Sequence, residues 1–461
     1  MSRNEEKESF SIKHALAYSA GLFSDVASYQ MFTFLIFTFY YSIIGLPVDW
    51  MTWGFIIWSI WNALNDPMWG IISDRTSTKW GRRRPYIIIS SIPLCVIMIL
   101  LWTPVTTNNF TAFLYFLIII ILFDTIYTMY SINQTSLFPE MFQSLEIRSK
   151  VNSIRQIFSV IALIFAFIMP SFFIKDYTDV TYASGYLPTG IVMAVVMAIG
   201  MLIFILFGIK EKTEFMLDKQ STPSFFKSIK ITLKNRAFLC YVITALANWY
   251  VFGMLPTIVP LYAKFVLNVE DAFLQSILLG LAFIASIVFI FLWRFVTLKI
   301  GLKKGFILSM LGFIIVLLPF MWIGNFIQGL FTFAFVGLGL SGSLFFRDPL
   351  VSAIADEDEL KTGVRREGSF YGVNALIIRL STIFIFVTIN SVFQSVGWRV
   401  FAPETVGPNT IFGLRMLIFT FPAIALAVGI VSMSLFPITK RKFEEIKEKV
   451  DKLHAEKRAK L

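Results

Sequence analysis

Twelve stretches of this 461-residue chain are long and apolar enough to cross a lipid bilayer, which leaves very few architectures open. A spanning helix needs about 20 mostly apolar residues. Inside hydrocarbon every backbone polar group must be satisfied by the spanning structure itself, so only helices and closed barrels are possible. Runs of this length are read as spanning helices. They fall near 16–44, 49–73, 85–104, 110–138, 151–174, 187–209, 237–267, 271–298, 304–324, 326–352, 369–396 and 409–437, the weakest separation being Gly324-Asn325. Composition agrees: 57% of residues are hydrophobic and 15% charged, against roughly 45–50% and about 25% in soluble domains. The expected fold class is an all-α polytopic membrane protein.

Orientation follows from the basic residues, which are retained on the cytoplasmic side of spanning helices. With the N-terminus inside, Lys and Arg crowd the cytoplasmic segments, and the external loops hold only Lys175 and Arg399. Both termini are therefore expected in the cytoplasm of a cell (plasma) membrane protein. The polar connection 210–236 separates an N-terminal six-helix half, 1–209, from a C-terminal one, 237–438. A basic amphipathic tail, 439–461, follows and reads as solvated or lying at an interface. A weak internal echo supports two pseudo-symmetric halves: Gly70…Asp74-Arg75…Gly81-Arg82-Arg83-Arg84 after the second run is matched by Arg294…Lys299-Ile300-Gly301-Leu302-Lys303-Lys304 after the eighth. Repeats of this kind characterise transporters whose midplane site opens alternately to either side.

The most informative residues are polar ones inside the runs. An ionisable side chain at membrane depth costs about 2.5–3.5 kcal/mol on insertion scales and usually faces a bundle interior or wet cavity. Asn62, Asn65 and Asp66 lie at i, i+3 and i+4, on one helical face. A carboxylate with amide neighbours there reads as an ion site. Asp124, Thr128, Ser131 and Thr135 form a second polar face on the fourth run, the lining expected of a watery cavity. Asp25, Arg155, Arg347, Asp348, Asn374 and Arg379 complete the intramembrane polar set, and Tyr29, Trp58, Tyr127, Tyr130 and Trp249 could stack on a sugar ring. Asp74, Arg75, Arg82, Arg83 and Arg84 follow the second run at once and read as a cytoplasmic gate.

Several function classes drop out. The only histidines, His14 and His454, are terminal, with no metal-ligand spacing or base–nucleophile partner, so an enzyme is not expected. Cys95 and Cys240 both sit in apolar runs, which disfavours a disulfide framework. The net charge of +11 carries no nucleic-acid motif and is assigned to loops facing anionic lipid. No cofactor is expected beyond a coupling ion, Na⁺ or H⁺, and one chain should suffice to form a site.

Asn65-Asp66-Pro67, Gly70…Asp74-Arg75-Thr76 and Trp80-Gly81-Arg82-Arg83-Arg84-Pro85 resemble the glycoside–pentoside–hexuronide:cation symporters of the major facilitator superfamily. Arg148-Ser149-Lys150-Val151-Asn152-Ser153-Ile154-Arg155-Gln156 adds a second match. Ala355–Gly363 with Arg365-Arg366-Glu367-Gly368 resembles that family's loop between helices ten and eleven. The resemblance implies the twelve-helix major facilitator fold and a cation-coupled symporter importing a sugar or glycoside. It puts Asp66 on the cation-site carboxylate, with Asn65 and Thr128 beside it, Asp25 on a sugar-hydroxyl acceptor, and Arg155 and Arg379 on cationic positions of the sugar cavity. Relative to melibiose-transporting members there are departures. Asn62 replaces a second cation-site aspartate, which weakens the case for Na⁺ and leaves proton coupling through Asp66 open. Ser131 replaces a sugar-binding aspartate, and Thr135 and Arg347 replace tryptophans. Arg347 and Arg379 together could clamp a carboxylate, as in a uronide. A symporter of lipid-like or other amphiphilic solutes is the competing reading.

Overall fold

The structure, a computed structural model, describes residues 11–76, 78–105, 107–142, 145–210, 231–362 and 367–459. Its elements in chain order are α1 (Ile12–Thr38), α2 (Val48–Arg75), α3 (Arg84–Leu100), α4 (Asn109–Met141), α5 (Leu145–Ile168), α6 (Tyr186–Ile203), α7 (Arg236–Phe265) and α8 (Ala272–Leu317). There follow α9 (Phe326–Phe345), α10 (Arg347–Thr362), α11 (Glu367–Arg379), α12 (Ser381–Ser395), α13 (Pro408–Arg415), α14 (Phe421–Ser434) and α15 (Lys440–Ala459). Short 3₁₀ and π turns extend several of them. Side-chain caps mark where helices start: Asn108, Asn235, Asp271 and Asn325 each accept an amide hydrogen from the first turn of α4, α7, α8 and α9. Asn325 thereby resolves the weakest expected boundary.

Among the described residues nine helical stretches are long and apolar enough to cross a membrane. The nine are compatible with twelve expected runs. One stretch, Ala272–Met321, contains two runs, because the backbone breaks at Gly301 with φ 83° and ψ 170°. The remaining two runs are α3, with 17 residues, and α2, which carries the Asn62, Asn65, Asp66 face.

The chain divides into two compact units, one of Met1–Ile44 with Leu64–Ser221 and the other of Gly45–Ala63 with Thr222–Leu461. In the first, α1 packs along α5 and α6, and α3 along α4 and α6. In the second, α7 packs along α14, and α8 folds back against α9. The two interiors use the same chemistry. Ser24 Oγ of α1 donates to Met197 O of α6 at 3.0 Å, while Thr244 Oγ1 of α7 donates to Gly429 O of α14 at 3.0 Å. Both seams set a hydroxyl against a helix that carries glycine, the close approach that association in lipid relies on. The sequence echo also has a structural counterpart: Gly81 and Gly301 both take positive φ, 114° and 83°, just before basic residues.

Three expectations need correcting or bounding. Residues 355–362, expected as loop, are the C-terminal turns of α10. The tail is helical as its amphipathic pattern requires, but it docks on protein within the second unit. Ile446 and Val450 are buried, Lys442 Nζ meets Glu357 Oε1 at 2.5 Å, and Lys440 Nζ donates to Leu298 O at 3.2 Å. The central connection lies outside the described residues from 211 to 230.

A left-handed backbone costs a residue with a Cβ about 1–2 kcal/mol, and at Gly301 the added atom would press on Lys440 Cβ at 2.8 Å. Gly301→Ala should lower stability by about that amount, read as a fall in melting temperature of the purified protein. Gly324→Ala, whose nearest neighbour would be Val266 O at 3.9 Å, should melt as the parent does.

Candidate functional site

In the first unit, α2 and α4 each present two polar residues close together in sequence, and the four meet. Asn65 is fully buried, and its Nδ2 donates to both Asp124 O and Asp124 Oδ2 at 3.0 Å. One turn along α4, Thr128 Oγ1 donates to Asp66 Oδ1 at 3.2 Å. Asp124 and Thr128 are buried and Asp66 half-buried. The cluster presents two carboxylates, a hydroxyl and the buried Asn65 Oδ1, which has no hydrogen-bond partner among the described residues. An orphaned carbonyl oxygen beside two carboxylates is an unfavourable arrangement unless something positive satisfies it. All the donors are oxygen, the set preferred by a hard cation. Among the described residues no group of three or more His, Cys, Asp or Glu could hold a resident metal. Asp124, grouped from sequence with the substrate contacts, thus lies against the cation candidates. Asn62, one turn earlier on α2, is buried in the Gly45–Ala63 segment of the second unit.

A second polar group sits on α1, α4 and α5 of the same unit. Asp25 is buried, and its carboxyl faces the hydroxyls of Ser131 and Tyr127 and, at longer range, the Arg155 guanidinium. Arg155 stacks over Phe138 at 4.0 Å and lies 5.5 Å from the Tyr18 ring. Tyr18 is held by its hydroxyl, which donates to Gln134 O at 2.6 Å. Tyr29 stacks on Tyr127 at 5.0 Å. An acceptor, a guanidinium and an aromatic pair in one place can hold a polyhydroxylated ring by hydrogen bonds and stacking. Thr135 lies exposed further along the α4 stripe. Sequence reasoning missed Tyr18 and Gln134; in so aromatic a chain no pattern singles them out.

In the second unit, Asn374 of α11 is fully buried, and neither end of its amide has a hydrogen-bond partner among the described residues. Arg379 ends α11 half-buried, and its carbonyl accepts from Ser59 Oγ at 2.8 Å. Arg347 begins α10, its guanidinium 5.7 Å from the Trp249 ring.

The gate residues fall on the turn between α2 and α3. Arg82 Nη2 and Arg83 Nε both meet Glu140 Oε1 at the end of α4, at 2.7 and 2.9 Å, with the three side chains largely buried. Both pairs lie inside the first unit and pin the α2–α3 turn to α4. Glu140 was not singled out from sequence, because its partners are 57 and 58 residues away. Arg84 opens α3, whereas the side chains of Asp74 and Arg75 lie outside the described residues.

A sequence model of the family described as MFS/sugar transport protein matches residues 17–440. Among curated proteins, the chain is 22% identical to an uncharacterized symporter of Synechocystis sp., covering 98% of each chain. It is 26% identical to the isoprimeverose transporter of Lactiplantibacillus pentosus, over 75% of this chain and 71% of that one. Among solved structures, a mutant of nucleoside transporter NupG superposes with a TM-score of 0.69 at 13% identity, covering 92% of this chain and all of that one, a likeness of fold.

Breaking a largely buried ion pair on one side leaves the other charge uncompensated. Glu140→Gln should therefore loosen the α2–α3 turn, and trypsin should cut purified protein after Arg82 and Arg83 several-fold faster than in the parent. An unchanged cleavage rate would mean that Glu140 does not hold the turn.

Proposed function

Because this chain belongs to the MFS/sugar transport protein family, and is therefore a multi-pass membrane transporter of a small-molecule solute, we propose that it is a cation-coupled symporter. It would import a sugar or glycoside across the plasma membrane by alternating access, working as a monomer with both termini in the cytoplasm. The observation that carries the coupling is the oxygen cluster of Asp66, Asn65, Asp124 and Thr128, with a buried carbonyl that has no partner among the described residues. We assign Na⁺ to it on donor chemistry. The cation is cargo here, bound and released in each cycle.

Asp25, Ser131, Tyr127 and Arg155 supply a group suited to ring hydroxyls, and support the sugar reading. α4 gives the two groups a common support, since Asp124 and Thr128 serve one and Tyr127 and Ser131 the other. A cation that neutralises the carboxylates changes the field on that shared helix, and a solute that orders Ser131 and Tyr127 changes the same helix from the other side. Linkage makes the two effects equal, and coupling free energies of this kind run about 1–3 kcal/mol. The buried amide of Asn374 and the Arg379 guanidinium are assigned to solute contacts in the second unit. The turn pinned by Arg82, Arg83 and Glu140 is assigned to gating on the cytoplasmic side.

The test is solute accumulation in proteoliposomes with and without an inward Na⁺ gradient, using a panel of neutral glycosides, pentosides and uronides. The parent should concentrate at least one panel member only with the gradient, and Asp66→Asn should merely equilibrate it. Thr128→Val should raise the half-saturating Na⁺ concentration about tenfold, the equivalent of one hydrogen-bonding or coordinating oxygen, and leave solute affinity at saturating Na⁺ nearly unchanged. Accumulation by Asp66→Asn equal to the parent would overturn the assignment. Accumulation driven by a proton gradient without Na⁺ would make Asp66 a proton carrier instead.

A further inference from the structure

The two loops that echo each other in sequence share a second feature. In the first unit the turn 78–81 is tightly closed: Thr78 Oγ1 donates to Gly81 O at 2.7 Å, and Gly81 N donates to Thr78 O at 3.0 Å. It carries Trp80, 60% exposed, with Lys79 Nζ 5.9 Å from the ring. In the second unit the first segment of α8 ends at Gly301. Phe295 near that end is 56% exposed, and Lys299 Nζ lies 4.2 Å from its ring. Each lysine thus stands two residues before a glycine of positive φ, Gly81 or Gly301. Neither lysine has a carboxylate partner among the described residues. Local structure makes no use of their charge. Glu140 is taken by Arg82 and Arg83, and the carbonyls of Leu298 and Lys299 are capped by Lys440 Nζ at 3.2 and 3.3 Å.

We infer that each of these loops docks one anionic phospholipid, with the lysine on the headgroup phosphate and the exposed ring beside the glycerol. The surface leading up to each lysine favours lipid over a soluble anion. Along α8, Val288, Phe291, Phe295 and Leu298 are 67, 67, 56 and 71% exposed. They stand at i, i+3, i+7 and i+10, on one helical face, and Lys299 at i+11 ends that face. In a membrane protein such a face meets acyl chains, so chain and headgroup are both provided for. In the first unit, exposed Ile71 and Ile72 close α2, and exposed Ile89 and Ile92 follow the start of α3. Aromatic rings collect at the membrane–water interface, and lysine extends past them to reach the headgroups. The negative lipids of the cytoplasmic leaflet supply the complementary charge. The inference rests on the proposed orientation for the choice of leaflet, and on nothing in the transport reading for the docking itself.

The test is native mass spectrometry of the full-length protein in detergent, titrated with palmitoyl-oleoyl phosphatidylglycerol or with the phosphatidylcholine of the same chains. The first two phosphatidylglycerol molecules should each bind about fivefold more tightly than phosphatidylcholine, the scale of one basic residue near an anionic surface. Lys79→Gln and Lys299→Gln should each remove this preference from one of the two, and the double variant should bind both lipids alike. Lys79→Arg and Lys299→Arg should keep it. Trp80→Ala and Phe295→Ala should weaken both lipids a few-fold. Lys452→Gln, which removes an equal charge from the exposed tail, should bind as the parent does. Equal binding of the two lipids by the parent, or a parental preference in the double variant, would overturn the inference. So would an equal loss in Lys452→Gln, because net charge and not the loops would then hold the lipid. sn-Glycerol 3-phosphate carries the phosphate without chains, and binding as tight as that of phosphatidylglycerol would make the loops soluble-anion sites instead. No transport enters the measurement. Loss of the lipid preference leaves the symporter reading as it stands, and an intact preference without Na⁺-driven accumulation removes the symporter and leaves the lipid sites.

Discussion

Hydrocarbon offers no hydrogen-bond partner, and the rest of this structure depends on that constraint. It makes each spanning segment a helix, since only a helix satisfies its own backbone within one segment. It also removes much of the hydrophobic drive that would press helices together in water, leaving close packing and polar contacts to do so. Ser24 against Met197 O and Thr244 against Gly429 O are such contacts, placed at corresponding seams of two units of unrelated local sequence.

The same constraint turns polar side chains into a record of function. A hydroxyl inside a helix can return its proton to a carbonyl one turn back, as Ser19, Thr52 and Ser91 do. A carboxylate has no proton to return and so has no such local escape. Where charged groups pair across elements, as Arg82 and Arg83 do with Glu140, they hold a turn in place. Asn65 Oδ1 and both ends of the Asn374 amide are buried without a hydrogen-bond partner among the described residues. In the Asp66 cluster the unpartnered atom is an acceptor beside two carboxylates, which is why a cation is assigned to it.

Much of this was legible in the chain. Run lengths specified helices, and the two loops of the glycine-plus-basic echo each hold a glycine of positive φ, Gly81 and Gly301. Asn65 and Asp66 stood out as costly residues in an apolar segment, and Asp124 and Thr128 as a face on one helix. Other features resisted. Residues 355–362 carry four acidic residues in a row and read as loop, yet Glu357 is held by Lys442 from the tail and the helix continues to Thr362. The tail's apolar stripe was legible, but what covers it was not, since amphipathicity is the same whether a helix lies on lipid or on protein.

Sequence by itself determined the class of fold, the approximate spans and the set of polar residues that had to find partners, because those follow from the local cost of exposing polar groups to hydrocarbon. Tertiary structure alone decided which partner each one found. Asn65 reaches Asp124 across 59 residues and Arg83 reaches Glu140 across 57. Helical periodicity places a side chain on a face, but the pairing of faces is set by how whole helices pack, and that depends on contacts far apart in the chain.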